Sequence, residues 1–524
     1  MIYPQGKEAL LARSFLASAN ACDPDGVDNT NSSVVNGAPC MPVLGNADAG
    51  YPSGLKKYPH LRFLPRFGFA LRPTSNDDWV VRGGVGMYNI NMLGSSFYSL
   101  TGTVQAQTQQ FTNTYNSQTH AIGYQWPQIY AGSGGAAGVG NFGSDYFGTA
   151  NSANWQDPYT IQWSMSVDHD FHLGYAGRMT YIGSETHHET WAPDENTLPF
   201  STTVSAYNQP ITARLFPNWG RINNRMTSAN ASYNSFQAEG THRLQHGLEF
   251  DSIFTWAKSL ADNQGPGNFG FAGEGGGDRA TSILDREADF GNVFGTRRLK
   301  WNTTGLYDLP IGRGRMFGSS IPRLADMVVG GWRLSTILTV QSGAFESPYF
   351  PSGQGDPSGT GSGLNGSLAG FDPGHREQVP DRSFGTSMSR GRTRLAYYNL
   401  SAFTCPGYAG WQPGTPCTTG AGYAANGTPN GAFPLPIGRF GNAQAGSAPG
   451  PGLFNLSTGL SKDVAITEGL HLRMEGTFTN VLNHTNLGDP NMNLSSPNFG
   501  QIDNTVGTDF GGARTGQIAA RLEF

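Results

Sequence analysis

The sequence predicts an all-β protein, an antiparallel transmembrane β-barrel of the outer-membrane type present in part, with about 11–14 strands and long extracellular loops. Three observations carry this expectation. Several segments alternate apolar and polar residues with period two, the mark of strands with two different faces. Short turns alternate along the chain with excursions of tens of residues, as in a barrel with periplasmic turns on one side and extracellular loops on the other. Composition agrees: 73 Gly, 32 Pro and 12% aromatics stand beside only 14% charged residues. Gly and Pro penalise helix interiors, while aromatics suit a pleated, half-buried surface.

Taken in chain order, the first clear strand has Ile161, Trp163, Met165 and Val167 on one face and Gln162, Ser164, Ser166 and Asp168 on the other. In the next, Trp332, Leu334, Leu338 and Val340 oppose Arg333, Ser335, Thr339 and Gln341, with Ile337 breaking the pattern. Phe454, Leu456, Thr458 and Leu460 then alternate with Asn455, Ser457, Gly459 and Ser461. Leu470, Leu472, Met474 and Phe478 oppose His471, Arg473, Glu475 and Thr477, and Ile518, Ala520, Leu522 and Phe524 oppose Gln517, Arg521 and Glu523.

A soluble sandwich alternates too, so connection lengths decide. Turns are expected at Asp170 to Gly174, Gln245 to Gly247 and Asp463 to Gly469, and excursions at roughly 186–231, 259–297, 343–452 and 483–514. Few soluble domains tolerate so many long loops. With a periplasmic C-terminus, strands near 470, 331, 248, 175 and 79 run outward and those near 453, 298, 233, 160 and 62 run inward. Residues 91–158 are then one extracellular excursion or hold an even number of further strands. The count is about eleven, an odd number that leaves the first and last strands parallel. Residues 1–61 are assigned to an extracellular loop region with a partial strand at Leu10–Leu16, and residues 62–524 to the barrel.

No apolar run approaches the ~18 residues of a transmembrane helix, which leaves barrel strands untouched as a means of crossing. The N-terminus lacks the basic and apolar regions of a secretory signal, so an exported chain is expected to be a fragment of a longer one. A net charge of -5 without a basic patch argues against nucleic acid. The cysteines fall as two local pairs, Cys22 with Cys40 and Cys405 with Cys417, both placed outside the cell by strand parity. Loop disulfides are the preferred reading, against free thiols.

Enzymatic and cofactor motifs are weak or missing. Gly138-Val139-Gly140-Asn141-Phe142-Gly143 has dinucleotide spacing but no helix pattern after it, and His187-His188-Glu189 lacks the second histidine of a zinc helix, which suits a loop histidine better. Asp23-Pro24-Asp25-Gly26-Val27-Asp28 has alternate carboxylates without the remainder of a calcium loop. No catalytic residue, cofactor or metal is therefore expected. Among loop aromatics, Trp155, Trp191, Trp219, Tyr349, Phe350 and Trp411 could stack on a sugar or aromatic ligand, with Trp191, Trp219 and Trp411 the named candidates; loop packing is the plainer account.

The order of motifs is informative as a set. Pro65-Arg66-Phe67-Gly68-Phe69-Ala70-Leu71-Arg72-Pro73 precedes Val81-Arg82-Gly83-Gly84-Val85-Gly86-Met87-Tyr88, then Tyr181-Ile182-Gly183-Ser184 and Phe254-Thr255-Trp256-Ala257-Lys258-Ser259. Tyr307-Asp308-Leu309-Pro310-Ile311-Gly312-Arg313-Gly314-Arg315 and Gly330-Gly331-Trp332-Arg333-Leu334 follow. Last comes Phe478-Thr479-Asn480-Val481-Leu482-Asn483-His484-Thr485-Asn486-Leu487-Gly488. Over roughly residues 62–524 this series resembles the C-terminal barrel of Oar-like TonB-dependent receptors. The resemblance implies a 22-stranded barrel, an upstream plug that TonB engages, and energy-coupled uptake of an extracellular ligand such as an oligosaccharide, peptide or metal chelate. It also implies outer-membrane lipid and the barrel-assembly machinery as partners, the latter reading the terminal Phe524. The alternatives kept open are a passive porin, a structural or adhesive barrel, and a secreted soluble β-protein.

Overall fold

The computed structural model describes residues 62–75, 78–89, 115–116, 121–122, 148–151, 156–191, 193, 222–262, 283–350, 380–405, 411–415, 441–467, 469–507 and 511–524. The proposed partial strand at Leu10–Leu16, the Asp23–Asp28 and Gly138–Gly143 motifs, and Cys22, Cys40, Cys417, Trp155 and Trp219 lie outside the described residues.

Eleven strands form one continuous antiparallel meander. They are β1 (Arg66–Leu71), β2 (Trp79–Asn89), β3 (Tyr159–His172), β4 (Tyr175–Trp191), β5 (Ile222–Gln245), β6 (Leu248–Ala261), β7 (Leu299–Asp308), β8 (Trp332–Gln341), β9 (Leu453–Ala465), β10 (His471–Thr479) and β11 (Thr515–Glu523). Each pairs with the next in sequence, and among the described residues the sheet is open, with β1 and β11 at its edges. Two short pieces join it off this path: Gly148–Asn151, parallel to the start of β5, and Gly291–Asn292, beside the end of β6.

Turn chemistry sets the register at one end. Leu173-Gly174 and His246-Gly247 are two-residue turns with all four residues at positive φ, the geometry whose twist matches paired strands. Residues 72–78 and 466–470 close two further hairpins at this end, and residues 309–331, which include helix α1 (Arg323–Val329), close the fifth. Every long connection leaves from the opposite end.

Because directly opposed residues share a face, the register shows how sequence alternation becomes two surfaces. Leu71, Val81, Val167, Met179, Ala238, Phe254, Trp301, Val340 and Phe454 lie side by side across nine strands. One residue over, on the other face, the row reads Arg82, Ser166, Thr180, Gln237, Thr255, Lys300 and Gln341. Ile337, the exception to alternation, stands on the polar face between Thr304 and Ser457.

The apolar face remains uncovered: Phe67, Met165, Met179, Trp256 and Ile518 are among its exposed side chains. The packed core lies elsewhere, in the connections at the long-loop end. Phe350, Phe403, Leu494 and Ile502 are fully buried there among Tyr397, Tyr398, Trp411 and Phe499.

The expected excursion at 186–231 is shorter than predicted, at both of its ends. β4 continues to Trp191 and β5 begins at Ile222 with a length of 24 residues, beyond the ~10 that cross a bilayer. Ladder pairing thus continues past the span, and His187, His188 and Glu189 belong to strand β4 rather than to a loop. Between β2 and β3 the described residues hold only a two-residue ladder, Tyr115–Asn116 with Ala121–Ile122, and the short parallel piece.

Candidate functional site: the polar face and the cap

Near the short-turn end, neighbouring strands bring opposite charges together on the polar face. Asp168 of β3 accepts from Arg82 of β2 and from Arg178 of β4, and Arg178 also reaches Glu239 of β5 at 3.3 Å. The four groups line an open cleft of about 260 Å³ with Asp170, Thr241 and Arg243. Farther round, Arg333 of β8 holds both carboxylate oxygens of Asp308 of β7, at 2.6 and 3.3 Å. Both Arg82 and Arg178 remain about half exposed, so each keeps a guanidinium edge open to solvent. This row can hold charged or hydroxylated groups but has no arrangement for bond-making chemistry. Among the described residues no cluster of three metal-ligating side chains occurs.

At the opposite end, the described residues of the connections between β8 and β9 and between β10 and β11 pack into a cap. Three short ladders organise it: Phe345–Glu346 with Ala448–Pro449, Asp381–Arg382 with Phe403–Thr404, and Ser389–Thr393 with Ala396–Tyr398. Glu346 is buried, and one carboxylate oxygen has no hydrogen-bond partner. Burial, reinforced by the negative charge of Asp489 and opposed by Arg297, pushes its carboxyl up to about 8. Burial likewise raises Tyr397 and Tyr398 above the ordinary phenol range.

The asparagines of the last motif act as clamps for this cap. The Asn486 amide makes a two-way pairing with the backbone of Phe454, both bonds 2.8 Å, and donates to the Gly511 carbonyl at 2.7 Å. Asn480 donates to the carbonyls of His484 and Gly512, each at 2.7 Å, and accepts from the His484 N–H. A short side chain carrying both donor and acceptor is what such backbone bridging needs. Sequence reasoning had the motif but not this role, because the bridged groups lie about 30 positions away.

The predicted site residues fall as follows. Trp191 is 3% exposed, its indole N–H donates to Asp289 at 2.9 Å, and Arg286 stacks over its ring. Trp411 is 6% exposed, donates to the Thr415 carbonyl at 2.9 Å and meets Phe350 edge-on. Both rings are thus engaged in loop packing, and they lie in different clusters. Cys405 is disulfide-bonded and belongs to the cap core. His187 contacts Asn230 at 2.9 Å and His188 the Thr227 carbonyl at 3.2 Å, so strand neighbours occupy both rings. Phe524 follows β11 fully exposed.

A sheet with one continuous apolar face, one charged face, turns at one rim and a cap at the other is the wall of a membrane-spanning β-barrel. No helix among the described residues is long and apolar enough to cross a membrane. Residues 14–517 match the outer membrane beta barrel domain, and the chain belongs to that family. It is therefore a protein of the bacterial outer membrane, a partial barrel and not an enzyme; in such a wall the apolar face meets lipid and the polar face lines the lumen.

No curated protein matches the chain. Among solved structures, it is similar to the outer membrane transporter YddB from Escherichia coli at 9% identity and a TM-score of 0.40, covering 88% of this chain and 40% of that one. The ferric enterobactin receptor PfeA from Pseudomonas aeruginosa is similar at 9% identity and a TM-score of 0.37, with the same coverages. The ferric citrate transporter FecA gives 7% and 0.36, covering 88% of this chain and 38% of that one. The chain thus spans two fifths or less of these proteins.

Proposed function

We propose that this chain forms the C-terminal part of the wall of a TonB-dependent receptor, a transporter that admits an extracellular ligand through a plugged barrel. The observation that carries the reading is the lumenal face. Arg82, Asp168, Arg178 and Glu239 make a charged row that keeps half-exposed guanidinium edges turned inward. Such a surface suits a folded plug docked against it, because partly paired arginines can exchange one carboxylate for another at small cost. In this reading the plug and its TonB-contacting segment come from residues other than 62–524. The ligand is of the oligosaccharide, peptide or metal-chelate class.

The test is uptake by cells producing the protein from its complete gene. Ligand accumulation that stops when the inner-membrane proton gradient is collapsed supports the receptor; accumulation that continues identifies a passive porin. A structural or adhesive role is the second reading, favoured by the disulfide-bonded, packed cap over β8 to β11. Surface binding with no uptake in either condition would select it.

A further inference from the structure

The connection between β7 and β8 carries apolar surface that no part of the described protein covers. Met316 and Leu324 are each 80% exposed, and Phe317 and Val328 more than half exposed. Helix α1 places Leu324 and Val328 four residues apart on one stripe, with Ile321 one turn earlier. A water-facing turn has no reason to present such a stripe, and the other hairpin turns at this rim are far shorter.

The position of α1 says what faces it. Its C-terminal end is tied to the lipid side of the sheet, not to the lumen. Trp332 and Lys462 are directly opposed, in phase with the lipid-facing pairs Leu334–Leu460 and Leu338–Leu456. The Trp332 indole N–H donates to the Val328 carbonyl at 3.2 Å. Lys462 crosses the same ring at 4.8 Å and donates to the carbonyls of Val328 and Gly330. Covered by α1, this lysine is 3% exposed, and the next pairs along the same face that flank it in phase include Leu334–Leu460 and Leu338–Leu456. Arg323 bonds the Ile466 carbonyl of the neighbouring turn at 3.1 Å. Asp326 accepts from the Arg313 N–H at 2.6 Å, which fixes the preceding loop against the helix. The exposed Arg313 and Arg315 then stand beside the apolar residues.

We propose that residues 311–329 are a membrane anchor that inserts Phe317, Leu324 and Val328 among the acyl chains of the periplasmic leaflet and sets Arg313, Arg315 and Arg323 against phospholipid phosphates. The surface continues the lipid face from Trp332, and its charge complements an anionic headgroup layer. Aromatics and long cations in this pattern mark a bilayer interface.

The test places a photo-crosslinking amino acid singly at Leu324, at Phe254 on the lipid face and at Ile253 on the lumenal face, in the full protein in the outer membrane. The expected result is a phospholipid adduct at Leu324 comparable with that at Phe254, and none at Ile253. A probe at Met316 should lose its lipid adduct when Leu324→Asp and Val328→Asp are combined. Protein adducts at Leu324, from a plug, a second copy or a periplasmic partner, would overturn the proposal, as would the absence of any adduct there while Phe254 labels. If Phe254 also fails to label lipid, the assignment of the faces falls as well, so the two failures are distinguishable.

Discussion

Adjacent residues on β6 give the sharpest test of the face assignment. Phe254 lies between Ala238 and Trp301 on the lipid side, midway along the apolar run from Phe250 to Trp256. Ile253 points to the lumen between Glu239 and Asn302. An arginine at the bilayer midplane of a barrel costs about 2–4 kcal/mol, and truncating the phenyl ring adds to that. At about 1.4 kcal/mol per factor of ten, the charge alone should lower the folding equilibrium of Phe254→Arg roughly 30- to 1000-fold, and the lost ring lowers it further. Ile253→Arg brings a guanidinium opposite the Glu239 carboxylate and should change stability by less than about 1 kcal/mol. Phe254→Ala separates ring loss from charge insertion. The assay is the fraction of protein assembled in outer-membrane preparations, read by heat-modifiable gel mobility, together with the urea midpoint of the membrane-inserted form. Equal losses for the two arginines, or a greater loss at 253, would refute the assignment of the two faces.

Glu346 is the group that should make the cap pH-sensitive. Its carboxyl is raised from 4.5 to about 8 by burial, so the folded cap holds a proton that the unfolded segment releases. Cap stability is then full below about 4.5, declines as pH rises from there to about 8, and levels off above. Protease protection of residues 380–405 at pH 5 and pH 8 should differ in wild type and should not in Glu346→Gln. Gly183 lies beneath the Trp163 ring, where a Cβ would collide with the indole. Gly183→Val should therefore displace the ring, cost about 1–3 kcal/mol and shift tryptophan emission. Cys405→Ala removes a cross-link from the cap core and should cost about 2–4 kcal/mol locally, seen as faster cap proteolysis with the strand ladders unchanged by circular dichroism.

Strand number and order were legible in the sequence because lipid imposes a local rule. Every second residue of a spanning strand must be apolar, and five segments from Ile161 to Phe524 show it without reference to any partner. Two kinds of feature escaped. The outer ends of β4 and β5 lie past the bilayer, where alternation loses its cause; residues such as Asn224 and Arg225 belong to a ladder that only pairing reveals. The cap escaped because its core joins residues from two connections separated by β9 and β10, so Phe403 meets Phe499 with no periodicity to announce it. The same applies to the charged row: Arg82, Asp168, Arg178 and Glu239 come from four strands, and their meeting depends on register, which a one-residue slip would abolish.

Strand polarity constrains what can complete the barrel. β1 and β11 are both odd members of an antiparallel meander, so both run the same way, from the rim with the cap toward the rim with the short turns. An edge strand in lipid cannot keep its backbone N–H and C=O groups unpaired, since each costs several kcal/mol in hydrocarbon. If every seam is to be antiparallel, the strands between β11 and β1 must be odd in number, and the first and last of them must run opposite to β1 and β11. Two copies of the eleven-stranded sheet fail this condition, because β11 of one would lie beside β1 of the other in parallel. Self-association of the described eleven-stranded sheet by itself therefore cannot close the wall with the pairing used throughout the rest of it, whereas an odd set of further strands arranged as a meander can. The charged lumenal row then becomes part of an enclosed surface, where Arg82 and Arg178 sit in a lower dielectric and their choice of carboxylate partners gains in energy.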